Sequence, residues 1–163
     1  IGSGAGLPGL VLAMVLPETA VTLLEPMERR CRFLAECVTE LGLANVSVLR
    51  ARAEEATVRG VPGGSSLPRG VWGDGSPQKE KAALRADVAT ARAVAPLPRL
   101  AELAAGVVRP GGMVLAIKGR TAAQELADAG PVLRRIGARS AEVVRAGQGK
   151  VVPATTVVRF FAR

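Results

Sequence analysis

Ile1-Gly2-Ser3-Gly4-Ala5-Gly6-Leu7-Pro8-Gly9 opens the chain and decides how the rest is read. A glycine run of this kind joins a β-strand to a helix. Its glycines let the backbone approach a ligand, and the free N–H groups of the helix start face that ligand. Nothing precedes the loop here, and the chain carries no initiator Met. The reading is therefore a nucleotide-type cofactor site in a chain cut at that site, with its first strand missing.

Working outward, Pro8 suits a first helical turn and Pro17 ends that helix. Ala20 to Glu25 reads as a buried strand with an acid at its end. Met27, Cys31, Leu34, Val38 and Leu41 then repeat at the spacing of one helix face, and Gly42 stops that helix. Val46 to Leu49 is a further short strand. Gly60 to Arg85 breaks the pattern: it is rich in Gly, Ser and Pro and holds Trp72, the one tryptophan. It is predicted as a loop or disordered insertion. Pattern resumes with a strand over Asp87–Ala93 and a helix over Leu97–Val108. A Pro110-Gly111-Gly112 turn and a strand over Met113–Lys118 follow. Thr121 and Gln124 have capping-box spacing for the next helix, which Gly130-Pro131 is placed to kink. Arg139–Arg145 and Thr155–Phe161 are predicted as a closing hairpin around Gly147–Lys150. Strands alternating with helices give an α/β fold, a mostly parallel sheet with helices on both faces. Its ligand sits at the carboxyl ends of the strands. All 163 residues are assigned to one domain.

Composition narrows the class. The formal charge is +8, with no histidine and no tyrosine, so the basicity holds across neutral pH. Such a surface fits a polyanion, most often nucleic acid, or reflects an Arg- and Ala-rich genome. Cys31 and Cys37 lie six residues apart with no further Cys or His, so no metal site is expected, and both read as small core residues in a reducing compartment. The apolar stretch Leu7–Leu16 is too short to span a bilayer. The expectation is a cytoplasmic monomer.

The glycine spacing selects the cofactor. A dinucleotide fingerprint needs a third glycine where Leu7 stands. Gly2, Gly4 and Gly6 instead follow the spacing typical of S-adenosylmethionine (AdoMet) methyltransferases. Glu25, an acid at the end of the next strand, suits two ribose hydroxyls.

Longer runs carry a resemblance. Gly2-Ser3-Gly4-Ala5-Gly6-Leu7-Pro8-Gly9, Leu23-Leu24-Glu25-Pro26 and Arg29-Arg30-Cys31-Arg32-Phe33-Leu34 occur in order. Arg52-Ala53-Glu54-Glu55, Thr90-Ala91-Arg92-Ala93-Val94-Ala95-Pro96-Leu97 and Ala116-Ile117-Lys118-Gly119 follow. Together they resemble the bacterial 16S rRNA guanine-N7 methyltransferase family, RsmG or GidB. The resemblance implies a class I, Rossmann-like AdoMet-dependent methyltransferase fold. It implies cofactor contacts at Gly2, Leu7, Ala53, Glu54 and Arg92, with Glu25 on the ribose. It implies 16S ribosomal RNA, or the small subunit, as partner. The family's N-terminal helical segment, first strand and preceding acid have no counterpart here. The late basic residue often found near the closing hairpin is also not evident where Thr155-Thr156 stand.

Guanine N7 carries a lone pair and no proton, so the missing histidine and tyrosine do not trouble this chemistry, and no catalytic acid or base is named. Arg29, Arg30, Arg92 and Lys118 fall near strand ends or the first turn of the second helix. The first two and Lys118 are assigned to the RNA. Arg30 falls on the apolar face of its helix, where a charge is costly unless that face opens onto a polar site or the side chain reaches past it. The competing readings are a truncated non-catalytic fragment, a small-molecule methyltransferase and, third, an NAD(P) oxidoreductase.

Overall fold

The computed structural model describes residues 1–56 and 84–163. The expected insertion therefore lies outside the described residues, apart from Leu84 and Arg85. Leu84 is itself buried, and its N–H donates to the Ala56 carbonyl at 2.9 Å. The described chain thus leaves the core at Ala56 and returns to it at Leu84, at one point.

Helix α1 spans Gly9–Val15, strand β1 Val21–Leu24, helix α2 Glu28–Glu40 and strand β2 Val46–Leu49. After the undescribed segment come β3 (Ala86–Arg92), α3 (Leu97–Val107), β4 (Val108–Lys118), α4 (Ala122–Arg135), β5 (Arg139–Ala146) and β6 (Thr155–Phe161). The apolar stripe of α2 is shorter than its spacing suggested. Cys31, Leu34 and Val38 are buried, whereas Met27 and Leu41, at its two ends, are half-exposed. Gly9 seats α1 on β1, because a β-carbon there would lie 2.3 Å from Leu23.

The expected mostly parallel sheet with a closing antiparallel hairpin is present, but it is divided. β1 and β2 pair in parallel, Val21 opposite Val46 through Leu24 opposite Leu49. β3, β4, β6 and β5 form a separate sheet in that order, in which β3 and β4 are parallel and β6 is antiparallel to both neighbours. Between the two sheets runs the start of the glycine loop. The Ile1 amino group donates to the Thr90 carbonyl at 2.7 Å, and the Ser3 N–H to the Leu24 carbonyl at 3.0 Å.

Alternation along β1 assigns helices to both faces. Leu23 packs with Leu10, Cys31 and Leu34 of α1 and α2. Leu24 packs into a second cluster with Leu97, Leu100, Ala129, Val114 and Phe160 under α3 and α4.

Two local expectations are corrected. Pro110-Gly111-Gly112 is not a free turn: β4 runs through it, Gly111 at φ +75°. Its backbone pairs with the chain end, the Gly111 N–H to Ala162 at 3.0 Å and the Ala162 N–H to Gly112 at 2.9 Å. The Thr121 capping box does not form. The Thr121 hydroxyl turns to Glu125 Oε1 at 3.3 Å, and Gln124 donates to Asp128 at 2.9 Å. Helix α4 carries Gly130 and Pro131 within it and continues to Arg135.

Candidate functional site

The glycine loop lies at the carboxyl end of β1, where the strand-end rule puts a ligand. Gly2, Gly4 and Gly6 all take positive φ, +61°, +54° and +87°, a region that disfavours any side chain. Their surroundings differ. A β-carbon at Gly6 would strike Leu10 at 2.2 Å, and one at Gly2 would meet Val94 Cγ2 at 2.8 Å. At Gly4 the nearest atom is a carbonyl oxygen at 3.8 Å, so this glycine faces open space. Gly2 and Gly6 are required by packing, whereas the backbone at Gly4 is left bare. Leu7, the next residue on the loop's rim, is half-exposed.

Glu25 ties this loop to α2. Its Oε2 accepts the Gly4 N–H at 2.9 Å and its Oε1 the Met27 N–H at 3.1 Å. The residue is 1 % exposed. Each oxygen has one backbone donor and keeps acceptor capacity for another. The Arg30 guanidinium approaches to 3.8 Å, itself more than half exposed. Arg30 thus has a stated reason to sit where it does: α2 opens there onto a buried carboxylate. Cys31 secures the same corner, its thiol donating to the Glu25 carbonyl at 3.2 Å. Burial, with the Glu25 charge second, pushes that thiol's pKa up, so it stays protonated as a donor.

Beside Glu25 lies a hollow of about 290 Å³, lined by Pro26, Met27, Arg50, Ala51, Arg52 and Glu55. This volume falls at the small end of small-molecule sites and suits a nucleoside-sized group. Met27 offers a half-exposed apolar side chain on its wall. Opposite, the Arg52 N–H is held by Glu55 Oε2 at 3.0 Å, and Arg50 pairs with Glu28 at 2.9 Å. The bond from Arg32, and then the Arg50 charge, hold the Glu28 carboxyl below the usual range.

Ala53 and Glu54 follow the end of β2, but neither lines this hollow. Ala53 is buried in the core, and Glu54 points outward in an ion pair with Arg99. Arg92 ends β3, exposed and with no ion pair among the described residues. Arg29 is likewise exposed in the first turn of α2. Lys118 departs from its expected role. Its side chain is 8 % exposed and donates to the Ala95 carbonyl at 2.8 Å and to Glu125 at 2.7 Å. An ammonium so committed is not offered to RNA. No group of acids and cysteines able to hold a metal occurs among the described residues.

The family whose model matches residues 1–151 is described as GidB, rRNA small subunit methyltransferase G. The chain belongs to this family. It is 49 % identical over 159 residues to ribosomal RNA small subunit methyltransferase G of Thermobifida fusca, covering 98 % of this chain and 57 % of that protein. The Mycobacterium sp. (strain KMS) protein of the same name is 43 % identical over 158 residues, 97 % of this chain and 60 % of its own length. The chain thus spans rather more than half the length of such relatives. Among solved structures, the fold is similar to a SAM-dependent methyltransferase from Aquifex aeolicus. The TM-score is 0.59 at 22 % identity, over 99 % of this chain and 79 % of that one. It is also similar to a SAM-dependent O-methyltransferase from Thermotoga maritima. There the TM-score is 0.62 at 15 % identity, over 99 % of this chain and 57 % of that one. The class I methyltransferase fold follows.

In this GidB-family chain, sequence reasoning named the loop and Glu25 but not Met27, Arg50, Arg52 or Glu55. The available signal was position. These residues follow the ends of β1 and β2, where a parallel fold collects its ligand contacts. No helix among the described residues is long and apolar enough to cross a membrane.

Proposed function

We propose that this chain is the cofactor-binding and methyl-transferring part of an AdoMet-dependent 16S rRNA guanine-N7 methyltransferase. The observation that carries the reading is the bare glycine loop at Gly4 hydrogen-bonded to a buried strand-end acid, Glu25, in a chain of the GidB family. The residues fit the cofactor. Glu25 has acceptor capacity for two ribose hydroxyls, and the hollow beside Met27 suits a nucleoside base. Gly2, Gly4, Gly6 and Leu7 border the rest. Arg92 stands at the end of β3.

When bound, AdoMet supplies an electrophilic methyl group on a sulfonium. The chain's residues supply alignment. Guanine N7 attacks with a lone pair and gives up no proton, so no histidine or tyrosine is needed. Alignment alone contributes several kcal/mol, up to about 7–11 in the best cases. The exposed guanidinium of Arg29 and, beside Glu25, that of Arg30 bind RNA phosphate or guanine O6. They leave N7 free. The partner is small-subunit rRNA and the acting species a cytoplasmic monomer.

The test is methyl transfer from tritiated AdoMet to small-subunit rRNA, with the product nucleoside identified by mass spectrometry. N7-methylguanosine is the expected product. Methylation at another atom, or of small molecules only, would refute the proposal.

A further inference from the structure

Lys118 and Glu125 are absorbed by no step above, yet three elements converge on them. Lys118 is the last residue of β4, Glu125 stands in the first turn of α4, and Leu97 begins α3. The Lys118 ammonium donates to the Ala95 carbonyl at 2.8 Å and to Glu125 Oε2 at 2.7 Å. The same Oε2 accepts the Leu97 N–H at 3.2 Å. Helix α3 has no side-chain cap of its own, Pro96 standing at its N-cap, so Glu125 satisfies one of its free N–H groups from the neighbouring helix. The segment between β3 and α3 is therefore tethered at two points, Ala95 and Leu97.

What this segment touches gives the tether its meaning. Val94 fills the space a β-carbon at Gly2 would need, with Cγ2 2.8 Å from that position. The residue before it, Ala93, sits at φ +51°, a left-handed conformation that a residue with a side chain keeps only when its surroundings enforce it. Lys118 also pulls the Glu125 carboxyl below the usual range, with its hydrogen bond as the largest cause.

We propose that Lys118 and Glu125 are a positioning pair for the cofactor site, holding the Arg92–Leu97 segment so that Val94 supports the glycine loop and Arg92 stays at the strand end. This rests on the AdoMet reading of that loop. Neither residue touches the cofactor or the RNA; each acts through the Ala93–Leu97 backbone.

The experiment compares the unmodified protein with Lys118→Met and Glu125→Gln in two measurements. One is amide hydrogen exchange at Ala93, Val94, Ala95 and Leu97, referred to β1 and β2. The other is AdoMet affinity by calorimetry. Lys118→Met is expected to speed exchange at those amides about tenfold, leave β1 and β2 unchanged, and weaken AdoMet about tenfold. Glu125→Gln keeps an acceptor for both donors, so its effects are expected to be only about threefold. A lowered melting temperature, with exchange at 93–97 and AdoMet affinity both unchanged, would reduce the pair to ordinary scaffolding and overturn the proposal. Uniformly faster exchange would do the same. Should Lys118→Met not fold, Glu125→Gln decides by the same two measurements. Failure of the unmodified protein to bind AdoMet would strike the cofactor reading instead, and the exchange measurement would still decide whether the pair holds the segment.

Discussion

Glu25 and Glu125 stand at matching places in the two halves of the molecule, each beside the carboxyl end of a parallel strand. Their partners differ. Glu25, 1 % exposed, takes two backbone N–H groups, and the Arg30 guanidinium stays 3.8 Å away, more than half exposed. Glu125 takes a nearly buried ammonium at 2.7 Å. A carboxylate held by amides alone keeps part of its acceptor capacity open; one that also takes a nearly buried ammonium has its charge compensated within the fold. The first is set up to meet a ligand itself, and the second to hold the Ala93–Leu97 segment beside the glycine loop. Type and strand-end position alone do not separate the two; their donors do.

The sharpest way to break this comparison is to remove each acid in turn. Glu25→Ala is expected to weaken AdoMet by about 100-fold, roughly 2.7 kcal/mol, with a smaller loss of stability. Glu125→Ala is expected to weaken AdoMet less, by about tenfold through the Ala93–Leu97 segment, and to cost more stability because Lys118 is left nearly buried and unpaired. Calorimetry and thermal melts on both variants decide; equal profiles would erase the distinction.

Next in size is the RNA side. Arg29→Glu is expected to lower methyl transfer about tenfold and flatten its salt dependence, because one phosphate contact is lost. AdoMet affinity should hold. Arg30 is better probed as Arg30→Gln, since a glutamate there would place a like charge beside Glu25. Arg92→Ala should reduce both binding and transfer. Paired measurements of affinity and tritium incorporation check each variant.

A pH titration sharpens the Glu125 half. Its carboxyl pKa is lowered from the ordinary 4.5 in the folded chain. The stability it contributes is therefore fully present above pH 4.5 and is lost as the pH falls through the lowered value. Thermal melts from pH 6 down should show that loss in the unmodified protein and much less of it in Glu125→Gln.

The smallest effect is expected from the undescribed segment. Leu84 and Ala56 already meet at 2.9 Å, so replacing residues 58–82 with a short linker closes a gap that needs no spanning. A stability change within about 1–2 kcal/mol is expected, since closure entropy varies slowly with loop length.

Much of this was legible in the sequence, and the misses share a cause. Val46–Leu49 and Thr155–Phe161 matched their strands because apolar runs bounded by turn residues report burial directly. The loop's backbone and the strand-end place of Glu25 were legible because they depend on local backbone and on order along the chain. Lys118, the Thr121 capping box and the Pro-Gly-Gly turn were misread because long-range partners decide them. Glu125 captured both Lys118 and the Thr121 hydroxyl, and Ala162 paired with the glycines as if they were strand. The division of the sheet was hidden for the same reason, since it depends on what lies beside Thr90 and Leu24.

The most direct measurement for the central claim is calorimetric titration of this chain, and of its Gly4→Val variant, with AdoMet and with NAD. A side chain at Gly4 would enter the open space beside the loop, at φ +54°. The expected result is saturable AdoMet binding, weaker or no NAD binding, and loss of the AdoMet signal in Gly4→Val. Binding of NAD more tightly than AdoMet, or unchanged AdoMet affinity in Gly4→Val, would contradict the assignment of the loop and Glu25 as the AdoMet site.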